Sequence, residues 1–285
     1  MKHLFGCTRQ AVGQLLKSLE NSKCNEDLIL DLVNEKRKRQ ARIGCVKLHN
    51  NLKSEFSKLG IKCGRDKFLE FMKRQCLLVP KKKISFRTTD SNHRFHKHKN
   101  RLKGKVISKP EQVWAADITY ILTAGGHMYL NLITDCYSHK IMGYYLSEDL
   151  TAKSTKKALI MALKNRIYPK RKLMHHSDRG LQYCSHEYTN LLNKNGIKIS
   201  MTTKYDPYEN SIAERVNGIL KDEFSISDKR LNKNEIHKII NQSIYIYNYE
   251  RTHYSCELMT PGVAHIKGRY KYKQWGKHAI TDHWN

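Results

Sequence analysis

The sequence predicts an α/β chain, a mixed five-stranded sheet flanked by helices, preceded by a small all-α region. Three observations carry this. Apolar spacing is helical up to about residue 80, β-branched and aromatic runs take over from residue 111, and the elements that follow read βββαβαβα. Three hairpin-joined strands, then strands linked through helices, give both antiparallel and parallel pairs. Charge marks the same division. Through Pro110 there are 28 basic and 9 acidic residues (+19), which leaves 25 and 17 (+8) for the remainder of the +27 chain.

Residues 1–80 hold four helical segments, "TRQAVGQLLKSL", "NEDLILDLVNEKRKRQARIG", "VKLHNNLKSEFSKLG" and "GRDKFLEFMKRQ", expected to be joined by Gly-containing turns. The last two, separated by Gly60 to Gly64, have the layout of a helix-turn-helix DNA reader. Its second helix would offer Arg65, Lys67, Lys73 and Arg74 to DNA. The structural alternative is a small bundle with a solvated basic face. Residues 81–110 lack apolar periodicity and are dense in Lys, Arg and His, a basic linker suited to a phosphate backbone. His93, His96 and His98 have no acidic or cysteine ligand at suitable spacing, so no metal is expected there.

Residues 111–228 form the core region. "QVWAADITYIL", "HMYLNLITDCY" and "HKIMGYYLSE" are strands with turn signals at Gly125-Gly126 and Ser138. They lead to a helix "TAKSTKKALIMALKNR", a strand "KLMHH", a helix "SHEYTNLLNKNG", a strand "IKISM" and a last helix. Residues 229–285 add a C-terminal helix and a tail in which Arg269, Lys271 and Lys273 alternate with Tyr270, Tyr272 and Trp275. That pattern fits backbone contact with base stacking, or an ordinary terminus.

A surplus of +27 would repel itself without a polyanion nearby, so nucleic acid is the expected partner. Mean hydropathy is −0.68, no run reaches the eighteen or so apolar residues of a membrane span, and the start lacks a signal-peptide core. No membrane role and a cytoplasmic location are expected. Eight scattered cysteines without a C-x-x-C pair read as reduced thiols, with no zinc ribbon.

The stretch "YDPYENSIAERVNGILKDEF" carries five carboxylates, Asp206, Glu209, Glu214, Asp222 and Glu223. On a helical wheel Ile212, Val216, Ile219, Leu220 and Phe224 share one side, with Asn210, Glu214, Asn217 and Lys221 opposite. Asp222 sits off that stripe and Glu223 falls among the apolar positions. Glu214 has two readings. Ser211-Ile212-Ala213-Glu214 spells a capping box, and Glu214 is also a candidate ligand beside Asp117 and Asp178. Asp117 lies mid-strand, an expensive place for an unpaired charge. Asp178 ends "KLMHHSD" where site residues collect, or forms a turn before Gly180. Were the three to meet, each pair at about 4 Å would repel by about 4 kcal/mol at an effective dielectric near 20. Divalent cations would relieve this. Hard oxygen ligands select Mg²⁺ or Mn²⁺, and two such ions serve phosphoryl transfer.

These residues resemble the D-D-E transposases of bacterial insertion sequences, specifically the downstream-frame (orfB) protein of the IS-three family, relatives of retroviral integrases. "WAADITYI" is similar to the first-Asp strand and "HHSDRGLQY" to the second-Asp motif. Since 214 − 178 = 36, 35 residues intervene between Asp178 and Glu214, the family interval. "YNYERTHYSCELMTP" resembles the C-terminal signature, and the first 80 residues resemble the helix-turn-helix region. The resemblance implies an RNase H-like catalytic domain with two Mg²⁺ ions, replaceable by Mn²⁺, held by Asp117, Asp178 and Glu214. It also implies 3′-end cleavage and strand transfer by direct transesterification. Lys221, with Arg179 assisting, would contact terminal DNA. Implied partners are the terminal inverted repeats, target DNA, a second copy or more of the chain, and an upstream-frame (orfA) partner or fusion, within the bacterial nucleoid. Two departures from the family pattern are Glu209-Asn210-Ser211 and Glu214-Arg215-Val216-Asn217; no upstream leucine-zipper heptads are visible. Asp135 reads as a turn residue or as one standing behind the ligands. Rival readings are an RNase H-like or junction-resolving nuclease and a DNA-binding regulator with an inactive catalytic fold.

Overall fold

The computed structural model of the protein describes residues 9–80, 95–203, 210–227, 230–268 and 273–274. The chain divides into two compact units, Met1–Lys81 and Lys82–Asn285.

The first unit packs α1 (Arg9–Arg39), α2 (Cys45–Lys58) and α3 (Arg65–Arg74). The two helices expected from residue 8 to residue 44 are one helix of 31 residues. Asn21, Ser22 and Asn25, where the break is expected, cost only tenths of a kcal/mol each relative to Ala, and no Gly or Pro lies between Gln14 and Arg39. Its C-terminal half buries Ile29 and Val33 against Leu48, Leu52 and Phe56 of α2 and Phe68, Phe71 and Met72 of α3. Gly60, at φ +66, closes α2 with a Schellman pair, its amide on the Ser57 carbonyl and that of Ile61 on Phe56.

In the second unit β2 (Val113–Thr123), β3 (Gly126–Asp135), β4 (Ile141–Ser147), β5 (Met174–Ser177) and β6 (Lys198–Met201) form one sheet in the order β4-β3-β2-β5-β6. The first three strands pair antiparallel, and β2 with β5 and β5 with β6 pair parallel, as the hairpin and helix connections require. The short β1 (Val106–Ile107) pairs with β7 (Lys273–Gln274) outside that sheet.

Helices cover both faces. Trp114, Ala116, Ile133 and Met142 pack under α4 (Ala152–Lys164) and α6 (His186–Lys194), through Ala158, Leu159, Ala162, Tyr188 and Leu192. Ile121, Leu130, Leu132 and Ile141 pack under α7 (Ser211–Glu223) and α8 (Lys233–Tyr249), through Val216, Ile219, Leu220, Ile240 and Ile244. A one-turn α5 (Leu181–Cys184) and α9 (Pro261–Lys267) complete the unit. Alternation along β2 therefore sends Val113, Ala115 and Asp117 toward the α7 side and Trp114 and Ala116 toward α4.

A buried polar network fixes the edge of this sheet. The fully buried Asp135 accepts from the amide and hydroxyl of Ser138 and from the amide of Glu111. Ser138 Oγ lies 2.8 Å from His265 Nδ1, and His265 Nε2 lies 3.3 Å from Glu111, which also pairs with Arg166. Burial alone would raise Glu111. The hydrogen bonds from His265, the Ile167 amide, Arg166 and the Tyr168 amide outweigh it and hold the carboxyl at about 2. Asp135 is thus the turn residue of the two readings open for it.

Candidate active site

Asp117 sits mid-way along β2, partly buried, on the face covered by α7. Asn217 of α7 donates to its Oδ2 at 2.8 Å. In the parallel β2–β5 pairing Ala116 stands beside Ser177, so the next register position along each strand sets Asp117 beside Asp178. Asp178 Oδ1 also accepts the amide of Gly180 at 3.0 Å, so the turn-forming role is real as well. A Cβ on Gly180 would stand 2.8 Å from Gln182 Oε1 and 3.0 Å from that Asp178 oxygen, so a larger residue would have to displace one of these side chains.

Burial pushes the Asp117 carboxyl up to about 7. The Asp178 carboxylate adds to this and Glu214 adds a smaller share, while Asn217 opposes them. Asp178, just past the end of β5, and Glu214 of α7 therefore both act on Asp117. Lys221, on one face with Asn217 and Glu214 of α7, is drawn down by burial and partly restored by Asp117 and Asp222. Arg179 is half-buried next to Asp178.

The capping box does not form. Asn210 is the N-cap of α7, makes no side-chain cap and instead donates to the Ala116 carbonyl at 3.1 Å. Elsewhere the chain does cap, with Thr151 on α4, Ser185 on α6 and a full Asn232–Glu235 box on α8. The Asn210 bond draws the start of α7 onto β2, one residue from Asp117. Of the other carboxylates in that stretch, Glu223 receives both ends of the buried Arg251 guanidinium at 2.6 Å, and Asp222 is exposed. Asp206 and Glu209 lie outside the described residues.

The integrase core domain family matches residues 107–207, and a second integrase core family matches residues 195–261. The IS600 insertion-element 31 kDa protein of Shigella sonnei is 38% identical over 227 residues, 78% of this chain and 81% of that protein. The InsF transposase for insertion sequence IS3A of Escherichia coli K12 is 36% identical over 156 residues, 54% of each chain. The chain belongs to the IS3 family of transposases, with the RNase H-like integrase fold. It spans most of the IS600 protein and is matched over about half of InsF. The HTLV-2 integrase catalytic core, solved in complex with magnesium, overlaps 55% of this chain and 97% of its own at 19% identity, with a TM-score of 0.45.

The donor set of this IS3-family chain fits a hard divalent cation on its own chemistry. An Asp117 carboxyl whose proton affinity is raised by burial and by two neighbouring acids needs a counter-charge when ionised, and Mg²⁺ or Mn²⁺ supplies it through oxygen ligands. The three carboxylates are not drawn as tightly as a closed site. Among the described residues the one His, Cys, Asp or Glu trio with ligand atoms all within 4.8 Å is His139, His253 and Cys256. Asn217 is the side chain that the helical wheel places on the polar stripe without a role; no sequence signal distinguishes it.

The remaining basic candidates lie in the first unit. Arg65, Lys67, Lys73 and Arg74 are all exposed on α3, Arg65 paired with Asp66 at 2.9 Å and Arg74 with Glu26 at 2.6 Å. His96 and His98 meet edge to face, and His93 lies outside the described residues. Arg269 to Tyr272 and Trp275 of the tail also lie outside them. No helix among the described residues is long and apolar enough to cross a membrane.

Proposed function

We propose that the chain is a D-D-E DNA transposase that cleaves at the 3′ ends of an insertion sequence and joins them to DNA by direct transesterification. Asp117, Asp178 and Glu214 are the catalytic residues. The observation that carries this is Asp117, which burial first and then the neighbouring Asp178 and Glu214 lift to about 7 although Asn217 hydrogen-bonds it. When two Mg²⁺ ions, or Mn²⁺ in their place, are held by these carboxylates they supply a deprotonated nucleophile and a counter-charge for the leaving 3′ oxygen.

The side chains divide the remaining work. Asn217 holds one Asp117 oxygen in place. The Gly180 amide does the same for Asp178. Lys221 and Arg179 bind the phosphates of the terminal DNA beside the acids. Water attacks phosphorus and the P–O3′ bond breaks, leaving a 3′-OH. That hydroxyl then attacks a second phosphodiester, loses its proton and displaces another 3′ oxygen.

We assign residues 1–80 to a helix-turn-helix region, 81–110 to a basic linker, 111–228 to the catalytic core and 229–285 to a C-terminal helix and tail. Arg65, Lys67, Lys73 and Arg74 of α3 face DNA. The partners are terminal inverted repeats and target DNA, with at least two copies of the chain on DNA and an upstream-frame protein or fusion.

Purified protein incubated with a pre-cleaved 3′-OH end and plasmid tests the reaction. A joined product that needs Mn²⁺ or Mg²⁺, and that disappears in Asp178→Asn while DNA binding stays intact, is expected. Hydrolysis without joining would make the protein a nuclease, and cleavage unchanged in Asp178→Asn would remove the site.

A further inference from the structure

We propose that His139, His253 and Cys256 form a second metal site, for Zn²⁺ rather than Mg²⁺, which clamps the C-terminal segment to the sheet. His139 and the His253–Cys256 turn come from chain segments more than a hundred residues apart, and all three side chains are buried, at 6%, 8% and 0% exposure. Their ligand atoms lie within 4.8 Å of one another. A thiol and two imidazoles are a borderline-soft set that selects Zn²⁺ over the hard cations the carboxylates select.

The backbone gathers them. His139 ends the β3–β4 turn at φ +59, and the Tyr247 hydroxyl donates to its carbonyl. His253 and Cys256 sit on one tight turn, the spacing of two ligands on a metal-binding knuckle. The Cys256 and Leu258 amides both return to the His253 carbonyl, and Glu257 and Leu258 are both left-handed, at φ 53 and 60. Cys256 Sγ donates to the Ser138 carbonyl at 3.3 Å, which holds the thiol against the histidine turn.

The metal-free arrangement differs from the bound one in a defined way. The imidazoles stack at 4.6 Å with their planes 11° apart, so their in-plane lone pairs lie in nearly parallel, separate planes. One ring must turn out of the stack to aim its nitrogen at a shared ion. Zn–N of about 2.0–2.1 Å and Zn–S of about 2.3 Å put tetrahedral ligand atoms roughly 3.5 Å apart, so each moves by on the order of 0.5–1 Å. Binding replaces the Cys256 S–H by a thiolate–zinc bond and releases one proton to solvent; both imidazoles bind neutral. Arg251, two residues before His253, grips Glu223 at the end of α7, so the clamp also steadies the helix that carries Glu214.

Metal-free protein, titrated with Co²⁺ in excess Mg²⁺, separates a thiolate site from the carboxylates, because only a thiolate ligand gives cobalt a sulfur charge-transfer absorption. One equivalent giving that absorption, displaced by Zn²⁺ and lost in Cys256→Ser, is expected. His139→Asn, a residue that tolerates the left-handed backbone, should weaken Zn²⁺ binding by at least about tenfold and leave the circular dichroism spectrum unchanged. Zn²⁺ should raise the melting midpoint by at least about 2–4 °C in native protein and in neither variant. No sulfur-to-cobalt absorption, or the same absorption in Cys256→Ser, overturns the proposal.

Discussion

At the scale of single residues the acids of the core differ by their surroundings. Glu111 and Glu223 have cationic partners, whereas Asp117 lies beside other carboxylates. An acid with folded pKa near 7 and unfolded value 3.8 keeps its proton longer when folded. In metal-free protein its contribution to stability is therefore largest below about pH 4, falls as pH rises toward 7, and is flat above. Three units correspond to about 4 kcal/mol at most. Urea midpoints in EDTA should thus fall between pH 5 and pH 8. Asp117→Asn should remove most of that slope, raise neutral-pH stability by on the order of 2–4 kcal/mol and abolish the stabilisation by Mg²⁺. An Asp117→Asn protein with the native slope would show that Asp117 is not the group behind the pH dependence. Asp117 is legible in the sequence because a charge at an inward strand position has few explanations. Asn217 is not, since an amide on a helix face has no periodicity of its own, and its partner lies 100 residues away.

At the scale of elements, local pattern locates the strands to within a few residues, because alternation and turn chemistry are encoded nearby. Propensity misjudges ends and joints. The long α1 has the local pattern of two helices, α5 has no local signal, and the capping box of α7 loses to a bond between Asn210 and β2. At α7 a tertiary bond overrides a local preference worth about a kcal/mol, whereas the exposed middle of α1 stays helical because its polar residues cost only tenths of a kcal/mol each. Packing also explains Gly143 in β4. A Cβ there would fall onto the Ala158 carbonyl and the Ala162 amide of α4, backbone atoms that cannot step aside. Gly143→Ala should cost about 3 kcal/mol in denaturant unfolding while leaving the first unit's helices intact. A loss under about 1 kcal/mol would mean that α4 slides freely over the sheet.

At the scale of the whole molecule, the charge of +27 implies binding governed by counterion release, so affinity for a terminal-repeat duplex should fall steeply with salt. Replacing Arg65, Lys67, Lys73 and Arg74 together by Ala should lower the log–log salt slope by about one for each phosphate that those side chains neutralise. An unchanged slope would put DNA elsewhere than α3. By itself the sequence determined the order of strands and helices along the chain, the mixed sheet and the family motifs, and it nominated the three acids, all from spacing along the chain. Only the tertiary structure decided that Asn217 holds Asp117, that Glu223 serves Arg251 and not the site, and that His139 meets His253 and Cys256. Those pairings join positions far apart in sequence, and folding alone selects which distant side chains share a buried space where an unmatched polar group is costly.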